Sequence, residues 1–70
     1  MPDACVSLID RLISIRKDKG MTQNDLAKAA CLTQSVIARM ESKKATPQLD
    51  TLLKVVAALD CDLEVIRNTP

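Results

Sequence analysis

No phenylalanine, tyrosine, tryptophan or histidine occurs in these 70 residues, and there is a single glycine. Without aromatic rings the core has to be built from Leu, Ile, Val, Ala, Met and Cys, a palette that suits packed helices better than a sandwich of strands. One glycine cannot form the glycine-rich cradle of a nucleotide site. The lack of histidine removes the usual base of a nucleophilic Ser or Cys. It also leaves the cysteines at positions 5, 31 and 61 without partners for a Cys/His zinc site. Three widely spaced cysteines with no CxxC pair read as reduced, buried thiols. Neither an enzyme nor a cofactor or metal protein is expected. There is no long apolar run, and the short N-terminal patch is broken by Asp3, Asp10 and Arg11. Neither a membrane span nor a signal peptide fits, so a cytoplasmic, nucleoid-associated chain is expected.

What remains is a helix-forming chain at the small end of what can bury its own core, for which oligomerisation is a reasonable expectation. Its net charge is only +1. The distribution is uneven. Residues 1–45 carry eight basic and five acidic side chains, and residues 46–70 carry two basic and four acidic. The basic excess lies where a one-sided nucleic-acid footprint would need it.

Cys5, Leu8, Leu12 and Ile15 recur at steps of three and four, widened by Ile9 and Ile13, which predicts an amphipathic helix over about 5–18. Gly20 ends it. Thr22-Gln-Asn-Asp25 has the form of a capping box opening a short second helix, about 23–30, with Leu26 and Ala27 inward. Thr33 caps a third helix, about 34–42. At 100° per residue Met40 and Val36 lie within about 100° of Ile37, whereas Ser42, Ser35 and Arg39 lie about 140 to 200° away. One face is core and the other is small or hydrogen-bonding. Thr46-Pro47 repeats the start signal, with proline at the first helical position. The fourth helix, about 48–59, has its apolar stripe in Leu49, Leu52, Leu53, Val56 and Leu59. From Cys61 to Arg67 polar and apolar residues alternate through Leu63 and Val65, which predicts a short strand followed by a loose tail at 68–70. A lone strand needs a partner for its backbone groups, either a second copy or another protein.

The run MTQNDLAKAACLTQSVIARMESKK followed by TPQLDTLLKVVAALD resembles the Cro/C1-type helix-turn-helix family, also called the xenobiotic-response-element family. The resemblance covers about two-thirds of the chain. It implies an all-α, lambda-repressor-like domain of four to five helices over 1–60, with the C-terminal strand at 61–67 as an addition. The second and third helices would form the DNA-binding unit, the third lying in the major groove. Carried onto these residues, the family pattern makes Gln34, Ser35, Ala38 and Arg39 the base-reading set. Gln can pair with adenine N6 and N7, Arg with guanine O6 and N7, and an alanine methyl can touch thymine. Thr22, Gln23, Ser42, Lys43 and Lys44 become the phosphate-binding set, with Lys17 and Lys19 as weaker candidates. Arg16 and Glu41 match a structural ion pair joining the first helix to the end of the third.

The chain departs from that pattern at two corners, with Cys31 and Lys43 standing where the family commonly has glycine in a left-handed backbone. Holding another residue there costs about 1 to 2 kcal/mol.

The resemblance implies a sequence-specific transcriptional regulator, in simplest form a homodimeric repressor on a palindromic operator in double-stranded DNA. The ending LLKVVAALDCDLEVI looks like antitoxins of the HigA and HipB types, which implies a cognate toxin as a further partner. Phage-type repressors and restriction-modification control proteins are alternatives within the class. A protein-interaction module that keeps the fold without reading DNA is a different class. A redox or metal sensor using Cys31 or the carboxylates Asp60, Asp62 and Glu64 is a third, and a solvated edge explains those carboxylates better than a calcium site lacking loop ligands.

Overall fold

A computed structural model describes residues 1–69. The chain forms four α-helices: α1 (Asp3–Asp18), α2 (Gln23–Ala29), α3 (Gln34–Glu41) and α4 (Leu49–Ala58). Local chemistry explains the two central starts. Thr22 Oγ1 accepts from the Asp25 amide at 3.0 Å while the Asp25 carboxylate accepts from the Thr22 amide at 2.8 Å, so the capping box is closed in both directions. Thr33 Oγ1 accepts from the Val36 amide at the head of α3. Ile9 and Leu12 of α1, Leu26 and Ala27 of α2, Ile37 and Met40 of α3, and Val55, Val56 and Leu59 at the end of α4 form one buried cluster. Helices pack here through aliphatic side chains alone.

All four helices end at a residue of positive φ. Gly20, Cys31, Lys43 and Asp60 each take a left-handed backbone, with φ between 57° and 71°. After α1, α2 and α4 the next residue's amide reaches back five positions to close a Schellman turn: Met21 to Arg16, Leu32 to Ala27 and Cys61 to Val56. Those three residues are apolar and pack against the core. After α3 the closing residue is Lys44, and a side chain takes the place of the long backbone bond. Ser42 Oγ donates to the Arg39 carbonyl at 2.6 Å and accepts from the Lys44 amide at 3.3 Å.

Three sequence expectations are corrected. The strand expected at 61–67 is not formed; residues 61–69 contain neither helix nor strand. Leu63 is half exposed and Val65 is 97% exposed. Alternation assigns side chains to faces, but a strand also requires a hydrogen-bonding neighbour, and this chain supplies none among the described residues. The stripe expected on α4 is rotated as well. Its buried side is Val55, Val56 and Leu59 with Leu52 beside them, whereas Leu49 and Leu53 are 67% and 45% exposed. Pro47 is not the first helical residue. It lies ahead of the N-cap Gln48, whose side chain makes no capping bond. The tail expected at 68–70 is exposed at Asn68 and Thr69, and Pro70 lies outside the described residues.

Candidate nucleic-acid interface

The α2–α3 corner is built by the Cys31 turn, the buried pair Leu26 and Ala27, and Ile37 below them. Ala27 has no side chain beyond Cβ, so the backbone of a neighbouring helix can approach closely. With Ile37 and Met40 anchored inward, the geometry of a helix forces Gln34, Ser35 and Arg39 outward; all three are exposed, and Ala38 is half-buried at the edge. Among the described residues none of these three side chains is engaged in an intrachain hydrogen bond or ion pair. The outward face is thus a row of unspent donors and acceptors.

The Arg16 guanidinium lies behind this unit. Nε donates to Glu41 Oε2 at 2.7 Å, one terminal nitrogen donates to Glu41 Oε1 at 2.9 Å, and the other donates to the Met21 carbonyl at 2.7 Å. The two side chains are only 10% and 7% exposed. A bidentate fork of this kind is both strong and directional. It ties α1, the α1–α2 link and the last turn of α3 together. Gln23 completes the arrangement by donating from Nε2 to Glu41 Oε1 at 3.2 Å. Every buried side-chain nitrogen and oxygen among the described residues has a partner.

The residues expected to grip phosphate are differently placed. Lys44 is exposed, with its ammonium unpaired among the described residues. Lys43 instead meets Asp10 of α1 at 2.6 Å. Ser42 is engaged in the α3 terminus, Thr22 in the α2 cap, and Gln23 with Glu41. Lys19 pairs with Asp60 at 3.1 Å, and Lys17 is exposed. The Asp25 carboxyl is held below its usual range, first by the Thr22 amide, then by the Thr22 hydroxyl, with a smaller contribution from Lys28.

Two acidic partners went unread in the sequence, Asp10 and Asp60. Both lie more than 30 residues from the lysine they meet, beyond any local spacing rule. The left-handed backbone at Asp60 was also missed, although the same Schellman pattern ends α1 and α2. The thiols are free, but the burial expected of them is corrected: Cys31 is exposed at its turn, and Cys5 and Cys61 are only partly covered. Among the described residues no three metal-binding side chains cluster, and no helix is long and apolar enough to cross a membrane.

A short helix fixed at a tight corner to a second, with its outer face polar and unengaged, defines a helix-turn-helix unit. The helix-turn-helix family profile HTH_3 matches residues 12–66, and the chain belongs to that family. It is 39% identical over 61 residues to an uncharacterised HTH-type transcriptional regulator of Haemophilus influenzae, covering 87% of this chain and 62% of that protein. It is 32% identical over 63 residues to antitoxin HigA1 of Mycobacterium tuberculosis, covering 90% of this chain and 42% of the antitoxin. The chain thus spans less than two-thirds of the length of either curated relative. Among solved structures it is similar to a chain described as a toxin-antitoxin module from Streptococcus pneumoniae. The TM-score is 0.77 at 45% identity, over 93% of this chain and 71% of that one. The family is one of regulators and antitoxins and not a class of enzymes.

Proposed function

We propose that the chain is a sequence-specific DNA-binding repressor that acts as a homodimer on a palindromic operator, and that it is the antitoxin half of a toxin-antitoxin pair. The observation that carries the DNA reading is the outer face of α3, where Gln34, Ser35 and Arg39 are exposed opposite the buried Ile37 and Met40. In this reading α3 enters the major groove, Gln34 and Arg39 make paired hydrogen bonds to base edges, and Ala38 meets a thymine methyl. Lys44 holds the backbone beyond α3, with Thr22, Gln23, Ser42 and Lys43 around it. For Lys43 the phosphate must displace Asp10, and for Gln23 the second amide hydrogen is the one available. Two-fold repetition follows from arithmetic: an eight-residue helix reads only a few base pairs, and two copies about 34 Å apart on one DNA face multiply the discrimination. The toxin partner is supported by the names of the similar proteins and by nothing in the side-chain chemistry.

The test is a titration of labelled duplexes taken from upstream of the chain's own gene, at several salt concentrations. The logarithm of the affinity should fall with the logarithm of salt by about 0.9 per phosphate neutralised. Lys44→Ala should reduce that slope by about one phosphate, equally for specific and random duplexes. Gln34→Ala and Arg39→Ala should each erase about 1 to 3 kcal/mol of the preference for the specific duplex. Affinity indifferent to salt, or unchanged by both α3 substitutions, would transfer the fold to the interaction-module class.

A further inference from the structure

Of the two lysines that follow α3, one is free and the other is held. Lys44 has an unpaired ammonium among the described residues, whereas Lys43 Nζ donates to Asp10 Oδ1 at 2.6 Å. Asp10 has no local reason to be where it is. It lies midway along the 16-residue α1, away from the first turn where an acid is favourable, and aspartate is a poor residue for a helix interior. The residues one turn from it, Val6, Ser7, Ile13 and Ser14, include no base to pair with. Its ion-pair partner lies 33 residues away, on a corner where Lys43 carries a side chain at φ 62° at a cost in backbone strain. Glu41, the acid nearest to Lys43 in the chain, is already engaged by Arg16 and Gln23.

We infer that Asp10 is a built-in competitor for DNA: its carboxylate occupies the Lys43 ammonium in the free chain, and a backbone phosphate has to take that ammonium from it. To an ammonium, carboxylate and phosphate are the same kind of acceptor, a negatively charged oxygen. The pair suits exchange better than permanence. Its two side chains are 34% and 53% exposed, against 10% and 7% for Arg16 and Glu41, so water can replace either partner and the bond is weak enough to break. Phosphate contacts carry no sequence information, so a competitor at one of them lowers the affinity for every duplex alike. Occupancy of DNA then leans more heavily on the base contacts of α3. Asp10 thus sets the strength of binding without touching a base.

This inference rests on the DNA reading proposed above, and one duplex titration separates the two. Asp10→Asn, checked for retained helicity by circular dichroism, should bind the upstream duplex and a random one about two- to fivefold more tightly at about 50 mM salt, the range an exposed pair allows. At about 200 mM the gain should shrink, because salt weakens the competing pair in the wild-type chain. Asp62→Asn removes the same charge from an exposed carboxylate outside the ion pairs among the described residues, and it should gain less. In a Lys43→Gln background the Asp10→Asn gain should fall to that of this control. A gain no larger than that of Asp62→Asn in the wild-type background, or one that survives intact beside Lys43→Gln, overturns the inference, since the pair then plays no part. So does weaker binding by Asp10→Asn, which would make the carboxylate a positioner of Lys43 and not its competitor. In each of those cases the wild-type chain still binds duplex and the operator reading stands; a wild-type chain that binds no duplex removes both.

Discussion

Cys31 carries a side chain where its backbone, at φ 57°, is best suited to having none. The thiol is exposed and so has no packing to offset the strain. Cys31→Gly should therefore raise stability by about 1 kcal/mol, a rise in melting temperature of roughly 4 to 8 °C for a domain this small. A thermal melt checks it, and DNA affinity should not move. Glu41 is the opposite case. It accepts two bonds from Arg16 and one from Gln23, and its removal leaves a guanidinium buried with only the Met21 carbonyl. Breaking such a pair costs about 3 kcal/mol or more, against a total of roughly 4 to 10 kcal/mol for 70 residues. Glu41→Ala should lose a third or more of the stability in urea titration, and an unchanged midpoint would mean that the pair is worth no more than a surface one.

Among the elements, α2 depends most on its ends. Seven residues cannot hold a helix by propensity alone, so the Thr22–Asp25 box and the packing of Leu26 and Ala27 must do so. Because the folded Asp25 carboxyl is held below its usual range, its contribution is present at neutral pH and lost as the pH falls through the carboxylate region. Asp25→Asn should flatten the decline of melting temperature between about pH 5 and pH 2. Helix starts like this one were legible in the sequence because a cap is local chemistry, Thr22 with Asp25 and Thr33 with the Val36 amide. The α4 face was not legible, since Leu49 and Leu53 continue the apolar pattern but stand on its outer edge, and periodicity alone does not reveal where a neighbouring helix stops. The strand expected at Leu63 and Val65 failed for a related reason: its signal was intrachain, but its hydrogen bonds would have to come from elsewhere.

At the scale of the whole molecule, a chain 42 Å long and about 24 by 21 Å across presents its polar α3 face and its apolar α4 face as two separate demands. The first was readable as a pattern of residue types, and the arrangement of Arg16 with Glu41 followed from the family likeness. The pairs Lys43–Asp10 and Lys19–Asp60 were not, because they form only once α1 lies across the other helices. In the homodimer proposed above, stability becomes a property of concentration, and the melting temperature should climb as the protein is concentrated.

Arg16 and Glu41 are 25 residues apart in the chain. Closing so long a segment costs entropy before any bond rewards it. The aliphatic contacts of Ile9 and Leu12 with α3 close a segment as long without demanding the exact geometry of a bidentate pair, so we expect the fork to form after them. Its expected role is then kinetic: without it the chain should refold at nearly its normal rate but open sooner. In stopped-flow experiments the Glu41→Ala loss should accordingly fall on the unfolding arm. What looks in the static structure like a strut would in time behave as a latch, setting how long each folded molecule lasts.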